Sequence, residues 1–152
     1  MKKSWNEKLA HRGDLPKIEV TTRSMADIPE GARMLIAPAD WYDEMEKKVP
    51  EGKVTTIPEI RKFLAKREKA DFTCPLTAGI FTNIVANANE ERDGKNPTAW
   101  WRTLKADGEL NPKYPNFPDM QKQLLEQEGH TIIQKGKRYF VADFEKKLYN
   151  FS

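Results

Sequence analysis

Three times between residues 40 and 152 a residue suited to cap a helix is followed two positions later by proline: Thr56-Ile57-Pro58-Glu59, Thr73-Cys74-Pro75 and Asn116-Phe117-Pro118-Asp119. Proline lacks an N–H and clashes with the preceding turn, so a helix tolerates it only in its first turn, where the N–H has no partner anyway. Each site therefore reads as a helix start that no upstream helix can run through. The first adds Glu59 three residues after Thr56, the spacing of a capping box. Its apolar stripe is Ile57, Ile60, Phe63 and Leu64, with Arg61, Lys62, Lys66, Arg67 and Lys69 turned to water. The second start predicts a helix with Leu76, Ile80, Ile84 and Val85 buried, running past Ala88 until Asp93-Gly94. The third carries Met120, Leu124 and Leu125 inward and stops at Gly129.

Other elements fill the intervals. Asp40 reads as the cap of a helix whose Trp41, Met45 and Val49 share a face, closed by Val49-Pro50-Glu51-Gly52. Thr131–Ile133 and Arg138–Val141 read as strands joined across Gln134-Lys135-Gly136-Lys137, and Asp143–Tyr149 as a short closing helix. Residues 1–39 show weak periodicity and several prolines. They read as an N-terminal arm, mostly irregular, with a short strand at Ile18–Thr22, ahead of a domain at 40–152. Helix, short strand, two helices, a later helix and a basic hairpin follow the order of a winged helix: an α+β fold, mainly helical, in which the hairpin is the wing.

Composition narrows the function classes. A net charge of +3 permits nucleic-acid binding without requiring it. One cysteine, Cys74, excludes an internal disulfide, and His11 and His130 share no ligand spacing with it, so neither a metal nor another cofactor is implied. No apolar run is long enough to span a bilayer, and the basic N-terminus lacks a signal-peptide core; the expectation is a cytoplasmic protein.

Three segments then carry a resemblance: Val49-Pro50-Glu51-Gly52-Lys53-Val54-Thr55-Thr56, Ala99-Trp100-Trp101-Arg102, and Leu124-Leu125-Glu126-Gln127-Glu128-Gly129-His130. In this order they resemble the DNA-binding domain of the alkylguanine-DNA alkyltransferases and their alkyltransferase-like relatives, over roughly the last two thirds of the chain. The active family has Pro-Cys-His-Arg, in which the thiol accepts the alkyl group, the imidazole relays its proton, and a glutamate orients the imidazole. By position the thiol falls on Trp100, the imidazole on Trp101 and the orienting acid on Glu128. An indole carries neither a nucleophile nor a group that titrates near neutrality, so alkyl transfer at this position is excluded. Tryptophan in the cysteine slot is what the non-enzymatic alkyltransferase-like proteins show, although those keep the histidine. The family's tyrosine that helps push a nucleotide out falls on Ile57, and its arginine finger falls on Leu76, an apolar side chain that can wedge between bases. Ile84–Lys95 also lengthens the helix beyond the family pattern.

The resemblance implies a monomer that binds duplex DNA, with or without O6-alkylguanine, and flags it for a repair-protein partner. The implied contacts are Thr55, Thr56, Leu76, Thr77, Ala78, Gly79, Thr82 and Asn83, with Lys135, Lys137 and Arg138 on the wing. Trp100, Trp101 and Arg102 would form the base pocket, one tryptophan buried and the other facing a base, with Arg102 bracing the loop. Each has a plainer reading: Ala78 and Gly79 as close-packing residues, the basic tip as a solvated turn, the tryptophans as core. Two other functions stay open: a winged helix that binds protein instead of DNA, and an alkyltransferase using Cys74, which reads either as a thiol activated at a helix N-terminus or as a buried hydrophobe.

Overall fold

The computed structural model describes residues 3–22, 24 and 28–152; the parts of the N-terminal arm at 1–2, 23 and 25–27 lie outside the described residues. Among the described residues there are five α-helices: α1 (Trp5–Ala10), α2 (Ala39–Lys47), α3 (Ile57–Arg67), α4 (Pro75–Glu91) and α5 (Asp119–Gln127). The strands are β1 (Lys17–Val20), β2 (Arg33–Ile36), β3 (Thr55–Thr56), β4 (Phe72–Thr73), β5 (Thr103–Leu104), β6 (Ile132–Lys135) and β7 (Arg138–Val141). They form three small sheets, ordered β1-β2-β4, β3-β5 and β6-β7. The fold is mixed α/β.

α3 begins where the sequence places it: Thr56 Oγ1 accepts the Glu59 N–H at 3.2 Å, with Pro58 in the first turn. α4 likewise begins at Pro75, and β6 and β7 pair with Lys135 opposite Arg138 across a two-residue turn whose first residue, Gly136, has φ +63°. Other boundaries differ. α2 is capped by Pro38, not Asp40, which instead accepts an ion pair from Arg12 at 2.7 Å. α5 begins at Asp119 rather than beside Asn116, whose backbone is left-handed (φ 51°). The closing helix is a single 3₁₀ turn, Phe144–Lys147.

The segment 1–39, expected to be mostly irregular, contains α1 and two strands. β2 pairs antiparallel with β1 and parallel with β4, Leu35 opposite Thr73. Leu9, Leu35, Ala37 and Ala39 join Tyr42, Met45, Ile60, Leu64, Val85 and Trp100 in one buried cluster. Each large side chain buried in this way contributes about 1.5–3 kcal/mol, so the N-terminal segment stabilises the same core as the helices. A second cluster, Val54, Leu104, Leu110, Leu125 and Val141, ties the hairpin to α5, and Trp101 packs against both clusters.

Candidate nucleic-acid interface

α4 faces the opposite way from its expected orientation in its first half. Ala78, Thr82, Val85, Ala86 and Ala88 are buried, whereas Leu76 and Ile80 are 72% and 49% exposed. The helix carries apolar residues on more than one side, and the interior takes the face with small side chains because α1, α2 and α3 pack closely on it. Thr82 Oγ1 donates back to the Ala78 carbonyl at 2.9 Å and is fully buried. Ala78 and Thr82 are therefore packing residues, not groove contacts. Thr77, Gly79 and Asn83 are half-buried and lie with Leu76 and Ile80 on the outer side. A groove of about 590 Å³ runs along this side, bounded also by Trp5 and Lys8 of α1 and by Lys113.

Thr55 and Thr56, expected at the interface, are interior. Both belong to β3, which pairs parallel with β5, Thr55 opposite Thr103. Thr55 is fully buried, and Thr56 spends its hydroxyl on capping α3.

Trp100, Trp101 and Arg102 form a 3₁₀ turn leading into β5. Trp100 is fully buried, its Nε1 donates to Glu90 at 3.0 Å, and its ring meets Tyr114 edge-on at 5.1 Å. It is a core residue. Trp101 is half-buried, edge-on to Trp100 at 5.9 Å, with its Nε1 donating to Glu128 at 3.0 Å. Arg102 donates to both oxygens of the same carboxylate, Nε to Oε1 at 2.9 Å and Nη2 to Oε2 at 2.7 Å, and also to the Val49 carbonyl at 2.7 Å. Burial alone would raise the Glu128 carboxyl. The hydrogen bonds from Arg102 and Trp101 and the charge of Arg102 outweigh it and hold that carboxyl below its ordinary value. Glu128 thus joins the Trp-Trp-Arg turn to the end of α5, and Arg102 braces the loop as the sequence suggests. His130 is buried in the same region, and burial, followed by the charge of Lys147, lowers its imidazole.

On the hairpin, Lys135 and Lys137 are exposed. Arg138 is partly committed, donating from Nη2 and Nε to Glu109 at 2.9 and 3.1 Å. These bonds lead the effects that lower the Glu109 carboxyl, against the opposing influence of its burial. Cys74 is the N-cap of α4, buried, with no side-chain capping bond. No group of three or more His, Cys, Asp or Glu side chains is placed to hold a metal among the described residues.

Sequence reasoning missed α1, although Ser4-Trp5-Asn6-Glu7 is a capping box: Ser4 Oγ accepts from Glu7 N–H and Glu7 accepts from Ser4 N–H, both at 3.1 Å. It also missed Lys113, for which the sequence offers no signal. Two solved structures resemble this arrangement of helices and hairpin.

The chain is similar in fold to Atl1. The S. pombe Atl1 structure in complex with damaged DNA containing O6-carboxymethylguanine superposes with a TM-score of 0.52 at 19% identity, covering 74% of this chain and 94% of that one. A structure of S. pombe ATL in complex with DNA gives 0.53 at 18% identity, with the same coverage. No protein-family model matches the sequence, and no curated protein does. Nearly all of Atl1 thus has a counterpart here, while about a quarter of this chain lies outside the match.

Proposed function

We propose that the protein binds duplex DNA through the outer side of α4 and senses alkylated bases without transferring a group to itself. On this reading α3 and α4 are the helix-turn-helix of a winged helix and β6-β7 is its wing. The observation that carries it is the exposure of Leu76 and Ile80, one helical turn apart, beside Thr77, Gly79 and Asn83. On a soluble domain such a pair of large apolar side chains needs a partner. Apolar side chains that enter a minor groove unstack base steps, while small and hydroxyl- or amide-bearing neighbours let the backbone approach and contact phosphate. Atl1, of similar fold, has been solved on DNA containing O6-carboxymethylguanine, which supports the same class of ligand.

Non-enzymatic action follows from the side chains. The positions that resemble the family's thiol and imidazole hold indoles, and Trp100 is sealed in the core. Cys74 is buried and lacks a paired base among its hydrogen-bonding neighbours, so it is a poor acceptor. Lesion sensing therefore acts through α4 rather than through Trp100.

Fluorescence anisotropy tests the reading, using a labelled duplex with or without one O6-carboxymethylguanine. Tighter binding of the modified duplex is expected. Equal affinities would reduce the function to general DNA binding, and no binding at low salt would leave α4 as a protein-docking face. Intact mass after incubation with an O6-benzylguanine duplex should be unchanged; a benzyl adduct would overturn the non-enzymatic assignment.

A further inference from the structure

We infer that α1 is a DNA-contacting element, its Lys8 acting with Lys113 to hold the phosphates that flank the apolar side of α4. The inference rests on the DNA-binding reading above and gives the N-terminal segment a role in it. An isolated helix of six residues would not persist in water. Here the carboxylate of Glu91, near the end of α4, accepts Trp5 N–H, Asn6 N–H and Asn6 Nδ2 at 3.1, 3.0 and 2.8 Å. Asn6 Nδ2 also donates to the Ala88 carbonyl at 3.0 Å, and Leu9 is buried. α1 is thereby pinned to α4 as a fixed wall of the groove.

Trp5 and Lys8 stand one turn apart on that wall, with the Lys8 ammonium 4.3 Å from the Trp5 ring centroid. Lys113 reaches the same groove from a separate turn that is equally fixed. Its N–H donates to Asn111 Oδ1, Asn111 N–H donates to Gln121 Oε1, both at 3.0 Å, and the adjacent Tyr114 is buried. Among the described residues, Lys8 and Lys113 are the charged ones lining the groove, and no carboxylate lines it. Neither lysine forms an ion pair among the described residues. Two unpaired cations beside an exposed Leu-Ile pair match a duplex, whose phosphates run alongside the groove that apolar wedges enter.

The test is anisotropy of a labelled undamaged duplex over a range of salt concentrations, with the full chain and its Lys8→Gln, Lys113→Gln double variant. Two lost phosphate contacts should flatten the slope of log affinity against log salt by about 1.8, with the same loss on a duplex containing O6-carboxymethylguanine. A charge-matched control, Lys62→Gln with Lys66→Gln on the exposed face of α3, should keep the wild-type slope. If the control flattens the slope as much as the groove pair does, net charge alone is acting and the inference is overturned. A groove variant with the wild-type slope overturns the role of α1 while leaving DNA binding by α4 intact. Failure of the wild-type protein to bind any duplex overturns both readings.

Discussion

Replacing Glu128 with alanine removes the acceptor shared by Arg102 and Trp101. Both partners of the ion pair are largely enclosed, with side-chain exposures of 14% for Arg102 and 8% for Glu128. Breaking one side of a buried pair costs about 3–5 kcal/mol, because the surviving charge is left without compensation. Arg102 keeps its 2.7 Å bond to the Val49 carbonyl, which places the cost near the lower end, about 3 kcal/mol. For a chain of this length that corresponds to a fall in Tm of roughly 6–12 °C. Glu128→Gln retains a neutral acceptor and should lose about half as much, since charge-assisted bonds are about twice as strong as neutral ones. Arg102→Met combined with Glu128→Leu removes both charges and should recover most of the loss. The pH dependence has a defined sign. Because the Glu128 carboxyl is held below its ordinary value, its contribution is complete above the unfolded value and disappears as pH falls through the folded one. The gap between wild type and Glu128→Gln should therefore narrow in acid. Urea unfolding followed by circular dichroism, across that pH range, measures each quantity. A Glu128→Ala loss below about 1 kcal/mol, the ordinary range for a surface pair, would refute the idea that this carboxylate braces the Trp-Trp-Arg turn.

Three further outcomes follow from the structure. Glu46 is fully buried with Oε2 unpartnered, and its carboxyl is raised well above the ordinary 4.5, mainly by burial. Between the ordinary and the raised value the folded chain holds a proton that the unfolded chain has released, so stability falls as pH rises. Glu46→Gln should raise Tm at neutral pH and flatten that decline; an unchanged profile in thermal scans would contradict it. Thr82→Val removes a hydroxyl that bonds within its own helix, so stability should change by no more than about 1 kcal/mol and DNA affinity not at all. A selective loss of DNA affinity would return Thr82 to the interface. On the hairpin, Lys137→Gln should flatten the salt slope by about 0.9 with no change in Tm, whereas Arg138→Gln, which releases Glu109, should also lower Tm. Identical behaviour of the two variants would remove the distinction between free and committed cations.

What was legible in the sequence was what local chemistry decides. Thr56 with Pro58 and Glu59 starts α3 through bonds within four residues, and Gly136 turns the hairpin because the first turn position needs a positive φ. Arg102 braces the loop as the sequence suggests, and it does so through Glu128, the position of the family's orienting acid. What failed depends on packing between distant segments. α4 offers two apolar sides, and only the docking of α1 and the other helices selects Ala78, Thr82 and Val85 for the interior and leaves Leu76 and Ile80 outside. Thr55 sits in a two-residue parallel pairing with Thr103, which no sequence period announces. α1 is held by contacts with α4, among them Glu91, 86 positions from Trp5, although the Ser4-Glu7 box marks its start in the sequence.

The most direct test of the central claim is a titration of the isotopically labelled protein with a short undamaged duplex, followed by backbone amide NMR shifts. Binding through the outer side of α4 predicts the largest, salt-sensitive shifts at Leu76, Thr77, Gly79, Ile80 and Asn83, with smaller ones at Lys135 and Lys137. Shifts confined to other surfaces, such as β1 or the basic face of α3, would contradict the claim, as would an unchanged spectrum at low salt.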